Sequence, residues 1–268
     1  MKNQEKNKKI YNLAKEYLLS FEGVTEHKID TQIKGWERSN NECISDICKR
    51  MILTARNRGA MPNSIGDLTK ISQFLFNYDP IRILENYSNW EELFDEIERN
   101  YTPPGPMDKD NKKNYWVQFT KSIISISKFL KRFKDIKEFN DFVEVFYHDE
   151  ETRVALPLLL EKEIFGFKFA LACDFLKEAG YPEYIKTDTH IKDIFMGLGL
   201  TEEEEDYQIF KDVIRYAESI NEKPYEVDKL LWLVGSGKFY LFEDENGNEF
   251  EINTSKDEFI EKVQDKLN

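Results

Sequence analysis

Two short stretches of this chain set reactive side chains at the mouths of helices. The first is Phe165-Gly166-Phe167-Lys168-Phe169-Ala170, in which a glycine precedes an apolar helix that stops at Gly180. The second is Thr187-Asp188-Thr189-His190, where Thr187 or Asp188 opens another helix. Free N–H groups at the start of the first helix form an anion site, and Gly166 lets another backbone come close. Lys168 is expected in the first turn of that helix. A free lysine titrates near about 10.4 and is a poor nucleophile at neutral pH. The positive helix end and partial burial both disfavour the ammonium form, leaving an amine that can attack carbon. Hydrogen bonds from helix N–H groups favour the ionised form of Asp188. Taken singly, Asp188 reads first as a plain helix cap and Lys168 as a solvated lysine.

The elements that must position these residues are almost all helical. Ile10, Leu13, Tyr17, Leu18 and Phe21 repeat at helical spacing, as do Ile44, Ile47, Met51 and Ile52. A break at Gly59 to Asn63 precedes helical patterns at Ile65–Phe76 and Trp90–Ile97, the latter with Ser88 as cap and Glu91 three residues on. The Pro-Pro-Gly-Pro run makes Tyr101 to Asn114 a loop, either a lobe boundary or an ordered surface loop. A long helix, Tyr115 to Phe133, carries Lys121, Lys128, Lys131 and Arg132 on its polar face. Further helices are expected at 138–149, 151–161 and 202–220, with another starting near Tyr225. The acidic run at 202–206 is expected as a solvated first turn. Two β-type runs flank Asn246-Gly247, a type I′ hairpin signal over about 238–254, and a helix follows from Lys256 to Leu267. Gly235-Ser236-Gly237 reads as a turn rather than a phosphate loop, because no Lys-Ser/Thr follows.

Composition narrows the classes. Hydrophobic residues at 40% supply a core, and no run of about 18 apolar residues spans a membrane. The N-terminus lacks the apolar core of a signal peptide. Three cysteines, Cys43, Cys48 and Cys173, cannot form a disulfide framework, so the chain reads as cytoplasmic. The net charge of −13 argues against a nucleic-acid partner until its distribution is considered. Residues 201–268 hold 8 Lys and Arg against 19 Asp and Glu, whereas 101–140 hold 9 against 4. A basic face can therefore survive outside the acidic tail.

The two motifs together resemble the active-site segment of helix-hairpin-helix DNA glycosylases, the superfamily of endonuclease III-like and 8-oxoguanine glycosylase-like enzymes. That family sets L-P-G-V-G-x-K-x-A before a helix and V-D-T-H at the start of another. Here Ile164 to Ala170 and Thr187 to His190 match, with Ile164 in place of the first hairpin glycine and Glu163 in place of the proline. Weaker similarity covers Ile52–Asn57 and the helix from Tyr115, so the likeness spans about Cys43 to Leu200. It implies a mainly α, two-lobed HhH-GPD-type fold with a small C-terminal β-hairpin, divided as 1–42, 43–200 and 201–268. It implies a glycosylase with AP-lyase activity on a damaged or modified base in double-stranded DNA, nucleoid-associated if bacterial. Lys168 and Asp188 would be catalytic, and Gly166, Phe167, Phe169, Arg56, Asn57, Lys121 and His190 would contact DNA. Arg56 or Asn57 would fill the gap left by the flipped base. No cysteine follows Cys173, so no iron–sulfur cluster or other cofactor is expected, while the hairpin allows a monovalent cation. A monomer without membrane contact is expected. The alternatives are a non-catalytic module of the same fold that binds DNA or protein, and a monofunctional glycosylase for a modified base in foreign (phage) DNA.

Overall fold

The computed structural model describes residues 2–35 and 41–267. It is mainly helical, with 66% helix, fifteen α-helices and one two-stranded antiparallel sheet among the described residues. Contacts group the chain into two units: Met1–Arg38 with Tyr181–Asn268, and Ser39–Gly180. The segment 43–200, expected as one core, is thereby shared out. Lys168 falls in the second unit and Asp188 in the first.

The first unit opens with α1 (Lys2–Leu19) and α2 (Glu26–Lys34). Helix α1 buries Ile10, Ala14, Tyr17 and Leu18 along one stripe. Helix α2 is absent from the sequence expectation, because EHKIDTQIK shows only Ile29 and Ile33 as an apolar pair. Thr25 starts it, accepting from the Lys28 N–H at 3.2 Å.

The second unit comprises α3 (Ile44–Arg56), α4 (Met61–Ile65), a 3-10 stretch (Leu68–Tyr78), α5 (Pro80–Asn86), α6 (Trp90–Asn100), α7 (Tyr115–Leu130), α8 (Ile136–Tyr147), α9 (Glu150–Arg153), α10 (Ala155–Glu163) and α11 (Phe169–Glu178). Helix α7 is its axis. Trp116, Phe119, Ile123, Ile126 and Leu130 are fully buried, and α3, α5 and α6 pack on it. Its Ser and Thr hydroxyls donate back to carbonyls a turn earlier, as Thr120 does to Trp116 at 2.9 Å, so they enter the core without loss. Helix α11 lies against α10 and α3.

Several expectations change here. Helix α4 begins inside the expected break, with Pro62 in its first turn, where a missing N–H costs nothing. The helical pattern expected at 65–76 becomes the last residue of α4 and then the 3-10 stretch, which left-handed Phe76 and Asn77 (φ 50° and 55°) kink near its end. Helix α6 is capped by Asn89 rather than Ser88, and Glu92 rather than Glu91 reaches back to the Ser88 N–H at 2.7 Å. The loop 101–114 is an ordered surface loop. Gly105 donates to the Ser64 carbonyl at 3.0 Å, and the Asn114 amide donates to Pro106 at 2.9 Å.

The chain returns to the first unit with α12 (Thr189–Gly197), α13 (Asp206–Ile220), α14 (Pro224–Ser236), β1 (Lys238–Glu243), β2 (Glu249–Glu251) and α15 (Lys256–Leu267). Helix α14 is buried along most of its length and packs on α1, α2, α12 and α13. Of the acidic run 202–206 only Asp206 is helical, so the run leads up to α13 instead of forming its first turn. The β1–β2 turn is not type I′, which needs positive φ at both central residues. Gly247 has φ 77° but Asn246 does not, because Asp244 Oδ1 accepts from both the Asn246 and Asn248 N–H groups and winds the turn the other way. Among the described residues no helix is long and apolar enough to cross a membrane.

Candidate functional site

In the second unit, α10 and α11 form a helix–turn–helix at the expected place. The turn alternates: Ile164 and Phe167 are buried, while Phe165 between them is 44% exposed. Gly166 has φ +83°, and a Cβ there would lie 2.9 Å from Arg58 Nη1 and 3.0 Å from Ser122 Oγ. Both the backbone conformation and the close approach thus call for glycine. The Phe165 N–H donates to Ser125 Oγ at 2.9 Å, which pins the turn to α7.

Lys168 is the residue ahead of α11, in extended conformation, rather than in the first turn. Its side chain is 76% exposed and its Nζ lies 3.0 Å from Glu161 Oε1, so partial burial does not act on it. The other Glu161 oxygen accepts from the Phe169 N–H at 3.1 Å and so fills part of the anion site expected at this helix start. The Phe167 and Phe169 side chains point into the core, and the Phe167 N–H is spent on the Ile164 carbonyl at 3.2 Å. Among the described residues nothing accepts from the N–H groups of Ala170 and Leu171.

Arg56 closes α3 and donates from Nη1 to the Gly66 carbonyl at 2.9 Å, which ties it to the chain after α4. Asn57 is its exposed neighbour. Lys121 is half-buried, with its ammonium 4.6 Å from the Trp90 ring centre and 5.6 Å from that of Phe165. Arg58 was missed by sequence reasoning. It is half-buried against Gly166, no carboxylate pairs with it among the described residues, and burial lowers its pKa. Its signal was weak, since nothing local to Arg58 announces the turn that folds onto it.

In the first unit Asp188 caps α12 as expected, accepting from the His190 and Ile191 N–H groups at 3.0 and 3.3 Å. These bonds favour the carboxylate, yet burial and the charge of Asp228 outweigh them and raise its pKa. Asp228, on α14, is 3% exposed, and its carboxylate lies 3.5 Å from the Lys186 backbone N. The sequence signal for Asp228 is an acid inside the apolar run Val227–Val234. His190 packs under Gly235, where a Cβ would come within 2.4 Å of Nδ1, and that buried nitrogen has no partner. Gly235 therefore ends neither a turn nor a phosphate loop; it is the contact of α14 with α12.

A carboxylate whose surroundings favour the protonated form is a stronger base once ionised. The raised pKa of Asp188 makes its carboxylate a stronger base than an ordinary aspartate. An exposed ammonium such as Lys168 must first lose its proton to act as a nucleophile. Among the described residues no three His, Cys, Asp or Glu side chains cluster so as to hold a metal ion. No protein-family model, no curated protein and no solved structure matches this chain.

Proposed function

We propose that this chain is a DNA glycosylase with AP-lyase activity that excises a damaged or modified base, an oxidised purine being the first substrate class to try. The observation that carries the reading is the α10–α11 hairpin, with left-handed Gly166 in its turn and Lys168 at the mouth of the second helix. Asp188 at the head of α12 supports it, as does the distribution of charge. The second unit holds 20 Lys and Arg against 23 Asp and Glu, so the chain's acidity lies mostly elsewhere. In this reading the N–H groups of Ala170 and Leu171, with Arg58, grip a phosphate without regard to sequence. The Lys168 ammonium first gives up a proton to water. The amine bonds to C1′ as the bond from C1′ to the base breaks, and the base leaves with a proton from the attacking nitrogen. The C1′–O4′ bond then opens, the remaining N–H proton passes to O4′, and the Schiff base so formed permits strand cleavage.

Borohydride trapping on duplexes that carry an abasic site or a single lesion tests this. Reduction should leave a covalent protein–DNA adduct that Lys168→Ala abolishes, and an adduct that survives that change refutes the lysine's role. The pairing of Lys168 with Glu161 favours a second reading, a monofunctional glycosylase in which Asp188 activates water. Base release without any trapped adduct, lost in Asp188→Asn, would select it.

A further inference from the structure

The second unit carries an open groove of about 390 Å³ between the start of α6, the polar face of α7 and the hairpin turn. Trp90 and Phe165 form its walls, with Lys121, Lys128 and Asn89 around them. The Lys121 ammonium lies over both rings, at 4.6 and 5.6 Å. Lys128 is two helical turns further along α7 on the same face, roughly 10 Å away at 1.5 Å per residue. No carboxylate lines the groove, and among the described residues none pairs with Lys121 or Lys128. Phe165 is not exposed through looseness, because its backbone N–H is held by Ser125. A fixed aromatic ring left in water beside two uncompensated cations is a surface built for an anionic, flat-faced ligand.

We propose that this groove binds single-stranded nucleic acid, with one unstacked base lying on Phe165 and Trp90 and the flanking phosphates on Lys121 and Lys128. A paired base keeps both faces inside the stack, so an aromatic wall of this kind selects a strand that is open. Ring stacking and phosphate contacts do not read the sugar, so DNA and RNA share the required chemistry. The site uses neither Lys168 nor Asp188 and goes beyond the glycosylase reading; either can fail while the other stands.

Fluorescence anisotropy with labelled ten-residue oligo(dT), oligo(U) and a blunt duplex decides it. The intact chain should bind both single strands more tightly than the duplex. Phe165→Ala, at an exposed position, should weaken single-strand binding about 10-fold, as loss of one stacked base does. Lys121→Gln with Lys128→Gln should flatten the slope of log affinity against log salt by about 1.4, or 0.7 per phosphate contact. Trp90 fluorescence should be quenched on binding, a change absent in Trp90→Phe. Lys168→Ala and Asp188→Asn should bind the single strands as the parent does. Circular dichroism of each variant verifies that it is folded. Equal binding by Phe165→Ala, an unchanged salt slope, or preference for an acidic peptide over the oligonucleotides overturns the proposal.

Discussion

Replacing Gly235 with alanine should destabilise the protein, against what helix propensity dictates. Gly235 lies in the last turn of α14, and alanine is favoured over glycine by about 1 kcal/mol inside a helix. A Cβ at this position, however, would lie 2.4 Å from His190 Nδ1 and 2.6 Å from both His190 Cβ and Cγ. Rotating the imidazole relieves the first and third contacts but not the second, because Cβ is fixed by the backbone of α12. The two helices must therefore separate by about 1 Å, the kind of overpacking that costs roughly 1–3 kcal/mol. Taking the upper end and subtracting the propensity gain leaves a loss of about 2 kcal/mol. For a chain of this size that lowers Tm by about 4–8 °C. Urea unfolding followed by circular dichroism should show a lower midpoint at unchanged slope. The head of α12 shifts too, and with it Asp188 two residues before His190, so any base-release activity should fall. A Tm equal to or above the parent's would refute the close approach of α14 and α12.

Asp188→Asn keeps the cap, since asparagine also accepts from the His190 and Ile191 N–H groups, and removes a carboxyl whose folded-state pKa is raised by burial and Asp228. The parent is stabilised at low pH by this protonated group and loses that stability as pH rises through the raised value. The Tm advantage of the variant should therefore be small near about pH 4 and widen toward neutrality; a gap that narrows on raising pH contradicts the assignment. Asp188→Ala, which loses the cap as well, should sit about 1 kcal/mol below Asp188→Asn in urea titrations. Arg56→Met should cost about 1.5–3 kcal/mol through loss of the charged hydrogen bond to the Gly66 carbonyl. Its effect on duplex affinity should be slight once folding is allowed for, and a selective loss of DNA binding at unchanged stability would support the base-gap role for Arg56 instead.

The sequence made the strongly periodic elements legible. Helices α1, α3, α7 and α15 follow from apolar spacing, and the α10–α11 hairpin from glycine placement. What escaped depends on partners distant in the chain. Helix α2 is too polar to announce itself and is held by burial of Ile29 and Ile33. Nothing local to Phe76 or Asn77 requires left-handed backbone. The environment of Lys168 is set by Glu161 on the preceding helix, and that of Asp188 by Asp228, forty residues on. Local pattern gave the places of these two residues, while their electrostatics came from contacts no window of the chain contains.

The interleaving of the two units sets a timetable for synthesis. Helices α1 and α2 emerge first, but α12 to α15, the rest of their unit, are made only after the whole of Ser39–Gly180 has been translated. At about 5–20 residues per second, that delay lasts roughly 7–28 s. For that interval the apolar stripes through Ile10, Leu18, Ile29 and Ile33 lack the cover of α13 and α14, while the intervening unit already has every residue it needs to close. The nascent chain therefore completes its middle before its beginning, and its first two helices are the segment a ribosome-bound chaperone would have to shield.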